Sequence, residues 1–145
     1  MTRIPPSILL FKINSLGNVE WQKQFNGAAT GGATVAGLVQ TSDGGYVFAG
    51  SAGDILYGTQ GNTELIKLDR SGNIQWNRTF PYAGDSSSMV QTRDGGFALA
   101  GRADTSTTLG SLANIWFIKT DSTGEVQWKL PSKKNWEAVW AVYRK

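Results

Sequence analysis

The chain has 145 residues with 18 glycines and a formal net charge of +3, and it contains neither cysteine nor histidine. Without them there are no disulfides, thiolate metal sites, Ser-His-Asp or Cys-His pairs, or HExxH zinc motifs. No apolar run reaches the roughly 18 residues of a membrane-spanning helix, so no span is expected.

Any catalysis would have to rest on carboxylates, Lys, Tyr or a bound cofactor, and no motif points to one. No metal, cofactor or enzymatic activity is expected. The positive charge is concentrated at one end. Lys129, Lys133, Lys134, Arg144 and Lys145 face only Glu137 there. A nucleic-acid surface needs a basic face across the fold, whereas a charged tail is usually just solvated. No nucleic-acid partner is expected.

In chain order, the first apolar run is Ile8 to Phe11, too short for a signal-peptide h-region. It opens a series of short segments rich in β-branched and aromatic residues, separated by turn residues. The predicted strands are 8–13 and 19–25, then 35–41, 46–51, 64–68 and 74–80. They continue as 88–92, 97–102, 115–120 and 126–130, with a last one at 137–143. Within 74–80, Ile74, Trp76, Arg78 and Phe80 alternate with Gln75, Asn77 and Thr79, which predicts two distinct strand faces.

The series is periodic. SILLFKINSLGNVEWQKQF (residues 7–25) aligns without gaps on NTELIKLDRSGNIQWNRTF (62–80), and NIWFIKTDSTGEVQW (114–128) repeats it. Lys12, Lys67 and Lys119 correspond, as do Gly17, Gly72 and Gly124, and Trp21, Trp76 and Trp128. Between the copies, VQTSDGGYVFAG (39–50) matches VQTRDGGFALAG (90–101). The spacing is 55 residues from Trp21 to Trp76 and 52 from Trp76 to Trp128. Self-similarity at such a period marks a repeat architecture. The repeat unit has four strand positions, a to d, and the chain reads c-d, a-b-c-d, a-b-c-d, a.

Two kinds of turn recur. Asp43-Gly44-Gly45 and Asp94-Gly95-Gly96 join a to b, with glycine free to take the positive φ of a tight hairpin. Asn14 to Asn18, Asp69 to Asn73 and Asp121 to Glu125 join c to d. Their Asn or Asp side chains are expected to bind nearby backbone N–H groups, since the acidic spacing is not that of a calcium loop. The remaining connections are long and differ between copies: 52–63 and 103–114 from b to c, then 26–34, 81–87 and 131–135 from d to a. In an up-and-down sheet the tight turns share one end and the long loops the other. The loop end is where function is expected.

These motifs resemble the repeats of about 50 residues in β-propeller proteins of archaea and bacteria, which carry LIKLDxxGNxxW followed by QTxDGGYxxAG. The resemblance covers nearly the whole chain. It implies an all-β, single repeat-built domain of four-stranded antiparallel blades, with position a nearest the central axis. The small residues at 33–37 and 86–88 suit crowding there. Related repeats are typically secreted or surface-attached, and the resemblance brings no catalytic motif.

Fewer than three full blades per chain are expected, with partial units at 1–25 and 136–145 flanking 33–80 and 86–130. Propellers close with about four to eight blades. Either the sequence is a piece of a longer product or several chains complete one ring; in the second case a homodimer in which two chains build a six-bladed ring is expected. The alternative architecture is a β-trefoil, which also builds three repeats into a chain of this size.

Trp21, Trp76 and Trp128 repeat in register and read as blade core, and Trp116 stands where Leu9 stands and reads as packing. Trp136 does not repeat and is the best candidate for an exposed aromatic that stacks on a sugar or anchors a partner. Asp54, Tyr57, Asn62, Tyr82, Asp85, Asp104 and Asn114 share the predicted loop end and could hydrogen-bond a polar ligand. The resulting expectation is a non-catalytic binding or assembly module. The alternative is a carbohydrate-binding propeller using Trp136 and these polar residues.

Overall fold

The computed structural model describes residues 7–26, 33–52, 62–80, 85–107 and 110–132. Those residues form an all-β structure of ten strands: β1 (Ser7–Ile13), β2 (Val19–Asn26), β3 (Ala33–Gln40), β4 (Tyr46–Ala52), β5 (Asn62–Leu68), β6 (Ile74–Phe80), β7 (Asp85–Gln91), β8 (Phe97–Thr107), β9 (Gly110–Thr120) and β10 (Val126–Ser132). The strand expected at 137–143 lies outside the described residues.

The strands form three separate antiparallel sheets: β1-β2, β3-β4-β5-β6 and β7-β8-β9-β10. Each four-stranded sheet is a plain meander in chain order, the arrangement expected of a blade. A trefoil calls for three equivalent four-stranded units. Among the described residues there are two, with one two-stranded sheet.

The turns explain why the strands break where they do. Gly17, Gly44, Gly72, Gly95 and Gly124 all have φ near +80°, a left-handed conformation that costs other residues about 1 kcal/mol or more. In the c-d turns the Asx side chain organises the loop. Asn14 Oδ1 accepts from the N–H groups of Leu16 and Asn18, and Asp69 Oδ1 from those of Ser71 and Asn73. Asp121 Oδ1 does the same for Thr123 and Glu125. These groups are turn organisers. The Asn73 N–H foremost lowers the Asp69 carboxyl's pKa, and the Thr123 hydroxyl foremost lowers that of Asp121.

Two aspects of the strands differ from expectation. The segment 103–114 is not a long loop: β8 and β9 continue in register from Ala103↔Asn114 to Thr107↔Gly110. Ile74 also does not share a face with Trp76. A bulge at Gln75 separates the pairs Leu68↔Ile74 and Lys67↔Trp76, so one extra residue reverses the alternation. Trp76, Arg78 and Phe80 remain together on the face toward the third sheet.

The sheets stack through two apolar clusters. Leu10, Ile8, Trp21 and Phe25 of the first sheet pack on Tyr46, Phe48, Ile66 and Leu68 of the second. The opposite face of the second sheet offers Val47, Ala49, Leu65 and Phe80 to Met89, Phe97, Leu99, Trp116 and Ile118 of the third. Phe48, Leu65, Leu68, Phe97 and Leu99 are fully buried, and each such side chain contributes about 1.5–3 kcal/mol. Strands β3 and β7 touch each other. Gly37 sits so close to Met89 that an added Cβ would stand 3.2 Å from the Met89 Cβ, which accounts for one of the small residues at position a.

Candidate functional site

The repeated lysine and the repeated Asp-Gly-Gly turn form one structure. Lys67 Nζ is buried and donates to both carboxylate oxygens of Asp43, at 3.1 and 2.8 Å, and to the Leu68 carbonyl at 3.1 Å. Lys119 repeats the arrangement with Asp94 and the Thr120 carbonyl. The lysine ammonium, then a threonine hydroxyl and a glycine N–H, hold both aspartates well below the usual carboxylate range. This clamp ties the a-b turn to position c. Gly45 and Gly96 must be glycine because a Cβ there would collide with the Leu68 or Thr120 carbonyl.

The first sheet has no Asp-Gly-Gly turn among the described residues, and its lysine is paired differently. Lys12 meets Glu20 at 2.6 Å, and this carboxylate raises the ammonium's pKa above its ordinary value. Glu20 is the bulge residue of β2 and corresponds to Gln127, whose Oε1 accepts from Lys119 Nζ at 3.0 Å. The bulge thus aims the same position at the lysine in both sheets. In the first sheet a carboxylate stands there.

A second recurring contact joins neighbouring sheets. Trp21 lies over the Gly72 turn, where an added Cβ would be 3.2 Å from the indole. Its Nε1–H donates to the Arg70 carbonyl at 3.1 Å, and Lys23 Nζ donates to Asn73 Oδ1 at 3.1 Å. One repeat later, Trp76 lies over the Gly124 turn with a corresponding separation of 2.9 Å. Arg78 takes the place of Lys23 and lies 3.0 Å from Glu125, which takes the place of Asn73. That contact is electrostatic, because the Arg78 Nε–H is not aligned as a hydrogen bond. Each tryptophan also meets an aromatic ring of the next sheet edge-on: Trp21 with Tyr46 and Trp76 with Phe97.

The third copy of this lock is open on both sides. Trp128 is 48% exposed, and Leu130, which corresponds to Lys23 and Arg78, is 59% exposed. A Cβ on Gly17 would meet nothing within 4 Å. The strand beside that turn presents Leu9, Phe11 and Ile13 at 49%, 51% and 61% exposure. The equivalents of Phe11 are Ile66 and Ile118, and that of Ile13 is Leu68; all three are buried. The expectation that Trp128 is core fails for one reason: among the described residues no sheet follows the third one to cover it. Trp116, by contrast, is buried as packing.

Of the residues expected to bind a polar ligand, Asp54, Tyr57, Tyr82 and Trp136 lie outside the described residues. Asn62 opens β5 and is exposed, opposite Ala52. Asp85 opens β7, while Asp104 and Asn114, expected in a loop, are strand positions opposite Ala113 and Ala103. These four stand at the sheet ends away from the tight turns. Among the described residues no group of three or more acidic side chains is gathered to hold a metal.

The lock escaped the sequence reading, although its signal was present. Lys23, Arg78 and Leu130 align with one another, as do Asn18, Asn73 and Glu125. No protein-family model matches the chain, and no curated protein matches it either.

Proposed function

We propose that the protein is a non-catalytic assembly module that completes a β-propeller ring by joining copies of itself. The observation that carries this reading is the pair of exposed apolar faces on the first and third sheets. The repeat equivalents are covered in the internal stacks: Ile66, Leu68 and Ile118 are buried, and Trp21 and Trp76 are partly buried against the next sheet. Leaving such faces in water forfeits the burial that stabilises each internal stack.

Two chains with two-fold symmetry give six blades, within the usual range for closed propellers. The loop ends of the sheets would then be gathered at one end of the ring, where a polar ligand could bind. Sedimentation of the purified protein tests the reading. It predicts a stable assembly, and a folded monomer that persists at high concentration contradicts it.

A further inference from the structure

We infer that the face carrying Phe117, Trp128 and Leu130 docks on the Leu9–Ile13 face and Gly17 turn of a second copy of this chain. The inference rests on the assembly reading above and adds the register and direction of the contact.

Both halves of the contact are already visible joined, twice, inside one chain. At each internal junction a tryptophan of position d lies on the glycine of the next c-d turn: Trp21 on Gly72 and Trp76 on Gly124. Two residues after the tryptophan, Lys23 reaches Asn73 and Arg78 reaches Glu125. Carrying the rule one repeat further pairs Trp128 with Gly17 and Leu130 with Asn18. Those are the members of the lock that are exposed or uncovered.

The faces behind the lock obey the same rule. Phe117 and Leu130 are opposite one another in the ladder, as are Lys119 and Trp128, so Trp128, Leu130 and Phe117 share a face. Phe117 occupies the repeat position of Leu65, which is buried against the third sheet. Across the junction, Phe11 occupies the position of Ile66 and Ile118, which are buried against a preceding sheet. The occupant is thus specified by continuity with an interface that the chain builds internally. It is a repeat of this same sequence.

The contact is heterologous: one face of a copy meets a different face of the next. Such contacts close into a ring when the rotation allows it. With Leu130 and Asn18 in place of the Lys–Asn and Arg–Glu pairs, this pair of the junction carries no charge. Its strength is therefore expected to be insensitive to salt, unlike an ion-paired one.

Because the chain lacks cysteine, single-cysteine variants test the pairing directly. Asn18→Cys and Leu130→Cys proteins are co-expressed and treated with a short bismaleimide. The expected result is a covalent dimer of one variant with the other, and no cross-link when either variant is present alone. A Lys23→Cys/Asn73→Cys variant, cross-linked within one chain, verifies the fold and the reagent's reach.

Absence of the mixed dimer from a sample that sediments as an assembly overturns this pairing and leaves assembly standing. Dimers from either variant alone overturn it in favour of an isologous contact. A sample that sediments as a monomer overturns both this inference and the reading beneath it.

Discussion

Asp43 and Lys67 are unequal partners, and the inequality predicts how the clamp fails. The ammonium is buried while the carboxylate is half-exposed and also accepts from Gly45 N–H. Among the described residues, Asp43→Ala leaves the buried Lys67 charge with the Leu68 carbonyl as its remaining partner. A fully buried broken pair costs roughly 3–5 kcal/mol, and solvent near Asp43 reduces this to about 2 kcal/mol. Lys67→Met leaves a carboxylate that water can reach, so it costs less. Urea denaturation of the two variants checks the order, and equal losses would contradict it.

The same aspartates set the acid limit. Their folded pKa values lie below the unfolded value near 4, so between the two the unfolded chain binds more protons. Stability is full above that unfolded value and is lost as pH falls through the folded ones. An Asp43→Asn/Asp94→Asn variant should be less stable at neutral pH and show a shallower decline below about pH 4. Thermal melts across pH measure this, and an unchanged slope would contradict it.

Glycine reports on the lock. Gly17→Ala and Gly124→Ala share the left-handed backbone cost of about 1 kcal/mol. Only at Gly124 does the new methyl also meet the Trp76 ring and Arg78 Cγ. Chain stability, measured by denaturation of dilute monomeric protein, should therefore fall further for Gly124→Ala. Both glycines were legible as turn residues from their spacing. What covers Gly124 was not, because a contact about 50 residues distant leaves no mark on local pattern.

At the scale of the element, the sequence specified strands and turns well where both copies repeat. The Asx turns, the positive-φ glycines and the strand cores at 19–25, 46–51 and 74–80 fall where alternation and turn chemistry put them. Two features eluded pattern reading for identifiable reasons. The run ADTSTTLGSLAN (103–114) has loop-like composition, yet threonine suits a strand and the β8–β9 register simply continues through it. Ile74 seemed in phase with Trp76 because alternation is counted on the sequence, whereas a bulge is visible only in the pairing.

The tryptophans separate element stability from assembly. Trp76 is covered by Phe97 and the Gly124 turn, so Trp76→Ala should destabilise the chain by about 3 kcal/mol. Trp128 occupies the same repeat position but is half-exposed. Trp128→Ala should leave the urea midpoint of dilute protein nearly unchanged and abolish self-association. Equal destabilisation by the two substitutions would mean that Trp128 is covered within its own chain.

Over the whole molecule, the all-β class and the blade-like sheets follow from one repeated arrangement of strands and turns. Every internal junction uses the same parts: a tryptophan, a glycine turn, a polar pair and apolar residues at fixed repeat positions. The exposed faces were not legible before the structure. A sequence repeat shows that sheets are equivalent, whereas burial shows which of the equivalent surfaces is covered. The candidate ligand residues were legible only as loop composition, and Asp104 and Asn114 show how little that decides.

The central claim is that the open faces are closed by another copy of the chain. Sedimentation velocity over a wide concentration range tests it most directly. The account predicts a species of twice the 15.7 kDa chain mass at the upper end of that range, retained in high salt. A folded species at the single-chain mass across the whole range would contradict it.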